Sequence, residues 1–296
     1  MKTTKLILLT FALTWSVGLA AQSRSETISK TLKFEQTNAN NVLYLANVNG
    51  NITVEGYNGS EIRVEAIKKV SAKTEARLEA AFGEVEVGVL DRMDTIFLYV
   101  KGVCGQFGFQ TQRWSDEPRR WGYDWNNCEQ SFDYKIDFKI QVPSSINVYA
   151  STINDGDVLI AGMNSSISAK NINGSIEVKE AQNLVYAHTI NGDVDIDCQS
   201  LPAKKARYYT LNGDINFNYP RNLSAEFSFK SYNGEMFTNI PDLTYLPPQI
   251  EKKESKGDRG IKYELDGKTV IKARNGGVRL DFETFNGDVY VKENIN

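Results

Sequence analysis

The sequence predicts an all-β protein in which short strands form a stack of coils, a β-solenoid or β-helix-like fold with about 18–21 residues per coil. Three observations carry this prediction. An Asn-Gly turn recurs along the chain, the recurrences keep a nearly constant spacing, and a short strand-like segment follows each turn. Such a repeat indicates the architecture before any single element does.

The recurring turn combines the two residues that best tolerate a positive φ angle, which a tight turn between strands requires. Acidic or small residues follow the glycine in most copies. The copies are Asn49-Gly50, Asn173-Gly174, Asn191-Gly192, Asn212-Gly213, Asn233-Gly234, Asn275-Gly276 and Asn286-Gly287, with Asp155-Gly156 as a variant.

The spacing of the turns separates two interpretations. Gly156, Gly174 and Gly192 are 18 residues apart, Gly192, Gly213 and Gly234 are 21 apart, and the next interval of 42 corresponds to two periods. A meander of β-hairpins would use the same dipeptides but needs no constant period, whereas stacked coils must stay in register. We therefore favour the solenoid over the meander.

Each period has room for two strands. After the turns, apolar residues alternate with polar ones, which predicts that Val194, Ile196, Ile215 and Phe217 point inward. A second strand is predicted in each period, at residues 167–169, 184–187, 208–210 and 225–229. Regular repeats are expected over 143–296, within a single domain of residues 22–296.

The part before the repeats, residues 22–142, is less regular. Residues 71–82 are rich in Ala, Glu, Lys and Arg, which predicts one short helix capped by Ser71 and covering an open end of the solenoid. Further strands are predicted at 85–89, 95–100 and 134–142. The charged stretch 251–259 is predicted to be an exposed loop.

Residues 1–21 predict a secretory signal peptide. Lys2 and Lys5 precede an apolar run, and small residues at Ala20 and Ala21 offer a cleavage site. The run has about 14 residues, fewer than the ~20 that span a bilayer. No later stretch reaches that length, so we expect an exported protein without a transmembrane segment, in the periplasm, at the cell surface or secreted.

Composition excludes several functions. The formal net charge of the 296 residues is −3, so no basic excess exists to neutralise the phosphates of a nucleic acid. His188 is the only histidine, and a lone histidine without a motif around it is seldom a ligand or base. The sequence contains no nucleophile elbow, phosphate loop or dinucleotide motif. We expect no enzymatic activity and no cofactor.

Export makes disulfides possible for the three cysteines. Cys104 and Cys128 enclose 23 residues, and a bridge between them would contribute about 3 kcal/mol on the chain-entropy model. Cys198 alternates with apolar residues of a predicted strand, so it is expected to be a buried free thiol.

The insert between these two cysteines is the best candidate binding site. Rings beside arginines stack on sugars or on side chains of a partner protein. The alternative is that the rings pack back onto the domain as a small satellite core, and this is the more frequent outcome. The candidate residues are Phe107, Phe109, Arg113, Trp114, Arg119, Arg120, Trp121, Tyr123 and Trp125.

The residues of the turn itself form a second group of candidates. Stacking would bring Asp193, Asp214 and Asp288 into one row about 5 Å apart, where calcium would relieve their repulsion. Turn chemistry and edge protection explain the same aspartates without a metal, so we expect none. The stacked asparagines are expected to bond to one another's amides.

The repeat resembles a known family. Residues 47–62 and the later Thr-x-Asn-Gly-Asp-Val and Leu-Asn-Gly-Asp-Ile units are similar to the bacterial "putative adhesin" domain of unknown function, over most of residues 42–296. The resemblance implies an exported, right-handed β-solenoid-like protein and no agreed catalytic residues. The 104–128 insert departs from the plain repeat.

Two functional hypotheses follow. The first is a non-enzymatic adhesin-like or scaffold protein that binds a cell-surface glycan or an envelope protein through the solenoid face or the aromatic insert, as a monomer or a homo-oligomer. The second is a carbohydrate-active β-helix enzyme resembling a polysaccharide lyase. Its basic residues would have to lie beside carboxylates, but Lys252, Lys253, Lys256 and Arg259 fall in a predicted loop.

Overall fold

The computed structural model describes residues 22–36, 38–102, 104–109, 121–125, 129–222, 224–257 and 260–294, without the side chains of 248–266. The predicted signal peptide at 1–21 lies outside these residues. Within the described ranges no helix is long and apolar enough to cross a membrane.

The described chain contains 23 strands and one helix. The first half comprises β1 (Gln22–Leu32), β2 (Val42–Ala46), β3 (Ile52–Tyr57), β4 (Ile62–Ala72), α1 (Glu75–Glu84), β5 (Glu86–Arg92), β6 (Thr95–Lys101), β7 (Gly105–Phe109), β8 (Trp121–Trp125), β9 (Phe132–Pro143), β10 (Asn147–Ser151) and β11 (Val158–Ala161). The second half comprises β12 (Ser166–Lys170), β13 (Ile176–Ala181), β14 (Asn183–His188), β15 (Val194–Cys198), β16 (Ala206–Tyr209), β17 (Ile215–Tyr219), β18 (Ala225–Lys230), β19 (Met236–Thr238), β20 (Leu243–Gly257), β21 (Gly260–Ala273), β22 (Val278–Glu283) and β23 (Val289–Glu293).

The strands form two large sheets and one hairpin. The first sheet has the order β1-β4-β9-β3-β11-β13-β15-β17-β23-β19, and the second has the order β20-β21-β18-β22-β16-β14-β12-β10-β2-β6-β5. From β10 to β17 the chain alternates between the sheets, and each of the strands β10 to β15 pairs in parallel with its equivalent 17 to 21 residues later. Strands β7 and β8 pair with each other as a separate hairpin.

The all-β prediction is confirmed, whereas the prediction of a regular solenoid is wrong. Both sheets are mixed, with antiparallel pairs such as β1–β4, β4–β9, β5–β6 and β20–β21. The stacking order also departs from chain order at both ends, where β2 lies between β6 and β10 and β22 lies between β16 and β18. Hairpin-like reversals break the period there, so a constant turn spacing predicted only the middle of the protein.

The turn prediction fails at one copy for the same reason. Asn275-Gly276 connects the antiparallel strand β21 to β22, and the strand stacked on the Asn233 turn is instead β23, after Asn286. The 42-residue interval therefore contains the long β20–β21 hairpin rather than a disguised coil. Strands through Gly257 and from Gly260 also replace the loop predicted at 251–259.

The core lies between the two sheets and follows the predicted alternation. Val194, Ile196, Ile215 and Phe217 are all buried, as predicted. Burial of such side chains contributes about 1.5–3 kcal/mol each. Parallel pairing keeps identical positions of successive coils adjacent, so the apolar rows are continuous along the stack.

The helix exists but begins later than predicted. Ser71 and Ala72 belong to the end of β4, and the cap is Thr74, whose hydroxyl accepts a hydrogen bond from the Arg77 amide at 3.3 Å. The strand extends to Ala72 because it pairs with both β1 and β9. The helix packs against β4 and β1 at the end of the first sheet.

Candidate functional site

The residues of the turn motif form three continuous ladders along one edge of the protein. The first ladder is internal. The residue two positions before each stacked asparagine is Thr, Asn or Ser. In every copy after the first, its side chain donates to a glycine carbonyl of the adjacent coil. In the first copy Asn47 donates instead to Gly50 of its own turn and to the Ile136 carbonyl. Thr189 Oγ1 donates to Gly174 at 2.7 Å, and Thr210 Oγ1 donates to Gly192 at 2.8 Å. This ladder fixes each turn to its neighbour.

The second ladder consists of amides and confirms the predicted stacking of asparagines. Asn191 Nδ2 donates to Asn173 Oδ1, and Asn212 Nδ2 donates to Asn191 Oδ1, both at 2.8 Å. The same bond joins seven asparagines in the spatial order Asn49, Asn154, Asn173, Asn191, Asn212, Asn286 and Asn233.

The third ladder uses the candidate metal ligands. Asp193 Oδ1 accepts from the Asp214 amide, and Asp214 Oδ1 accepts from the Asp288 amide, both at 2.8 Å. Asp288 Oδ1 accepts from the Glu235 amide at 2.9 Å. Each carboxylate thus satisfies a backbone N–H of the next coil. Within the described part of the chain, no group of three His, Cys, Asp or Glu residues has metal-binding geometry.

Close stacking also explains why the turns contain glycine. Gly213 has φ +154°, and a Cβ atom there would lie 2.2 Å from the Gly192 carbonyl oxygen. No side chain fits at that distance, so glycine is required by the approach of one coil to the next.

Three of the five described rings of the aromatic insert pack onto the domain. Phe107, Trp121 and Tyr123 contact a buried cluster on the outer face of the second sheet, formed by Tyr44, Ala46, Phe97 and Tyr149. The Phe97 and Trp121 ring centroids are 4.5 Å apart. For these three rings the satellite-core alternative describes the structure.

Two hydroxyl groups fasten the hairpin to the sheet. Tyr44 Oη donates to the Trp121 carbonyl. Tyr123 Oη accepts from the Val100 amide at 2.8 Å, and burial raises the pKa of this phenol well above its ordinary value. The hairpin is therefore held by both ring packing and polar contacts.

Two predicted binding residues stay open to solvent. Phe109 is 55% exposed and Trp125 is 52% exposed. They lie at opposite ends of the hairpin, since Phe109 pairs with Trp121 and Trp125 pairs with Gly105. Four other predicted residues, Arg113, Trp114, Arg119 and Arg120, lie outside the described residues.

The cysteines are partly described. Cys198 is a buried free thiol, as predicted, and burial raises its pKa to about 12. Cys104 is not a free thiol. Cys128 lies outside the described residues, so the Cys104–Cys128 bridge stays a prediction.

His188 lies at the surface of the second sheet, at the end of β14. Its Nδ1 lies 2.8 Å from Tyr186 Oη, and its ring meets Tyr209 edge-on at 4.5 Å. Burial, with the nearby charges of Lys170 and Arg207, lowers the pKa of His188 to about 4. The imidazole is thus neutral near pH 7, and its neighbours are rings and cations.

Sequence reasoning missed one group of exposed rings at the end of the stack opposite the hairpin. Tyr232, Phe237 and Phe285 are 58%, 42% and 41% exposed. Phe285 stacks on Tyr232 at 4.8 Å, and Tyr290 stacks on Phe237 at 5.1 Å. The sequence does contain a signal for these rings. The position before the ladder asparagine is aromatic only at Tyr232 and Phe285, and the outward position after the turn only at Phe237 and Tyr290.

Comparison with known proteins assigns no family. No family model matches the sequence, and no curated protein matches it. Three solved structures are distantly similar to this chain. A "putative cell adhesion protein" from Clostridium sporogenes ATCC 15579 is 11% identical, with 91% of this chain and 100% of that chain covered and a TM-score of 0.40. A "putative adhesin" from Bacteroides fragilis NCTC 9343 is 10% identical, with coverages of 91% and 97% and a TM-score of 0.35.

The third structure has a different name. A "putative lipid binding protein" from Parabacteroides distasonis ATCC 8503 is 9% identical, with coverages of 92% and 96% and a TM-score of 0.24. Two of these three structures have adhesion names. At these identities and TM-scores the likeness supports no conclusion about family or function.

Proposed function

We propose that this protein is an exported, non-enzymatic, adhesin-like binding protein that holds a cell-surface or extracellular partner at its hairpin end. The observation that carries the proposal is the arrangement of the β7–β8 hairpin. Three of its rings are packed on the sheet, and two others, Phe109 and Trp125, remain half exposed. Aromatic residues in such positions dominate the energetics of interfaces.

The packed rings make this surface rigid. Phe107 lies within 6.1 Å of the ring centroids of Tyr44, Phe97 and Tyr99. Rings that are already ordered lose little conformational entropy when a partner binds, and this preorganisation raises affinity. The Phe109 and Trp125 rings adjoin this ordered surface, each 5.8 Å from a packed ring, Trp121 and Tyr123 respectively.

The hydrogen bonding of the turn carboxylates supports a binding role over the lyase alternative. The stacked carboxylates Asp193, Asp214 and Asp288 accept hydrogen bonds from backbone amides. Those amides belong to the adjacent coil, so the carboxylates have a structural task. No observation on the described residues favours catalysis.

The proposal is tested by removing the two exposed rings while keeping the packed ones. We expect Phe109→Ser/Trp125→Ser to lose at least tenfold in affinity for the captured partner in a panel of glycans and envelope extracts, with an unchanged melting temperature. Tyr245→Ser is the control, because Tyr245 is 74% exposed on β20. Tyr245→Ser should bind as the unaltered protein does.

Two results would contradict the proposal. Unchanged binding by the Phe109/Trp125 double variant would remove the hairpin from the site. Release of unsaturated sugar products from polysaccharides, followed by absorbance, would establish the lyase alternative instead.

A further inference from the structure

The end of the stack opposite the hairpin carries a second surface, which we call the terminal turn, residues 232–237. It connects β18 to β19, and β19 is the last strand of the first sheet. Among the described residues, the turn that stacks on it is the one between β22 and β23, through the Asn233–Asn286 bridge. The groups that point away from that neighbour are therefore open.

The amide ladder ends here with a free acceptor. Every amide in the ladder points the same way, so that Asn233 Nδ2 donates to Asn286 Oδ1 and Asn286 Nδ2 donates to Asn212 Oδ1, each at 2.8 Å. No described residue donates to Asn233 Oδ1. Aligned hydrogen bonds polarise one another, so this oxygen is the negative end of a seven-residue chain of amides.

The carboxylate ladder ends at the same turn. Glu235 donates its amide to Asp288 Oδ1 at 2.9 Å. Its own carboxylate receives no hydrogen bond or ion pair from the described residues, and the residue is exposed. Asn233 and Glu235 thus place two free acceptors two residues apart.

Exposed rings flank these acceptors on both sides. Tyr232 precedes Asn233 and stacks on Phe285, whereas Phe237 follows Glu235 and stacks on Tyr290 at an interplanar angle of 14°. Lys230 Nζ lies 5.0 Å from the Tyr232 ring centroid, and Lys292 Nζ lies 4.9 Å from that of Tyr290. Each pair gives a flat apolar strip with polar groups at its rim.

Two positions of the repeat are aromatic only in the coils at this end of the stack. The position before the ladder asparagine is aliphatic in the middle coils, as at Ile172, Ile190 and Leu211, and aromatic only at Phe285 and Tyr232. The outward position after the turn is Glu177, Asp195 and Asn216 in the same coils, and aromatic only at Tyr290 and Phe237. Both rows change at the same two coils, although the residues of both rows are only partly buried in the middle coils.

We propose that the terminal turn is a carbohydrate-binding site. A sugar has apolar C–H faces that stack on exposed rings and a rim of hydroxyls that donate to acceptors, and the terminal turn offers both. A protein partner needs about 800 Å² per side, which is more than a few half-exposed rings provide. The site does not depend on the hairpin and adds a ligand class to the proposed binding role.

The test uses the full chain and a panel of soluble oligosaccharides of glucose, galactose, mannose and N-acetylglucosamine. Titration calorimetry on the unaltered protein identifies the sugar that binds. Tyr232→Ala and Phe237→Ala are each expected to weaken its binding at least fivefold, and Asn233→Ala about threefold. The matched control is Tyr245→Ser, which also removes an exposed ring and should leave this binding unchanged. Phe109→Ser/Trp125→Ser is measured in parallel to tell the terminal turn from the hairpin.

The outcomes separate the two sites. Loss of sugar binding in the terminal-turn variants with retention in the hairpin variant supports the proposal, even where the hairpin function fails. The proposal is overturned if no oligosaccharide of the panel binds, or if binding survives Tyr232→Ala and Phe237→Ala. A dimer in sedimentation that becomes a monomer in these variants, without sugar binding, would assign the rings to a second copy of the chain.

Discussion

The two aromatic clusters differ in what their rings contact. At the hairpin end, Tyr44 stacks on Tyr149 at 4.2 Å, and the rings of Phe107 and Trp121 cover them. At the opposite end, Tyr232 and Phe237 stack only in pairs and remain about half exposed. The high density of aromatic residues in the sequence located the hairpin cluster, in which three of the five described rings pack on the sheet and two stay half exposed. Departure from the repeat locates the terminal cluster, whose rings do not pack on the sheet.

The reason lies in how each cluster is built. The hairpin places every second residue on one face, so Phe107, Trp121 and Tyr123 turn toward the sheet. Phe109 and Trp125 share that face but lie at the two ends of the hairpin, where they stay half exposed. The rings of the last coils occupy repeat positions whose equivalents, such as Asp195 and Asn216, face solvent. A ring at an outward position of a repeat keeps the exposure of that position.

The largest test of this contrast compares one ring from each cluster. Tyr44→Ala removes a ring that is 1% exposed and should lower the free energy of unfolding by about 3–5 kcal/mol. Tyr232→Ala should change it by less than about 0.5 kcal/mol, because exposed substitutions remove little packing. Urea unfolding followed by fluorescence measures both. Similar losses in the two variants would show that the terminal rings pack as the hairpin rings do.

The sequence was sufficient for the middle of the molecule and insufficient for its ends. The Asn-Gly turns, the asparagine ladder and the inward positions of Val194 and Phe217 all follow from local patterns. The insertion of β22 between β16 and β18 does not, because strand order depends on pairing between distant segments. The helix start was misplaced at Ser71 because pairing with β1 and β9 extends β4.

Protonation of His188, on the sheet face between the two clusters, should lower the stability of the protein in acid. Its folded pKa of about 4 lies below the unfolded value near 6.5, so the unfolded chain binds more protons between these values. Stability is therefore fully present above pH 6.5 and falls by up to about 3 kcal/mol as the pH drops to 4. His188→Gln should flatten this part of the curve in urea unfolding at several pH values. Equal slopes in both proteins would contradict the prediction.

The smallest expected effect is the difference in lost stability between a substitution in the middle of the amide ladder and one at its end. Asn191 both donates to Asn173 and accepts from Asn212, whereas Asn233 only donates. Asn191→Ala should cost about 1–2 kcal/mol, because two neighbouring amides lose a partner, and Asn233→Ala at most about half of that. Thermal unfolding of the two single variants measures the difference. Equal costs would mean that the Asn233 oxygen is engaged within the protein, which would leave no free acceptor for a sugar hydroxyl at the terminal turn.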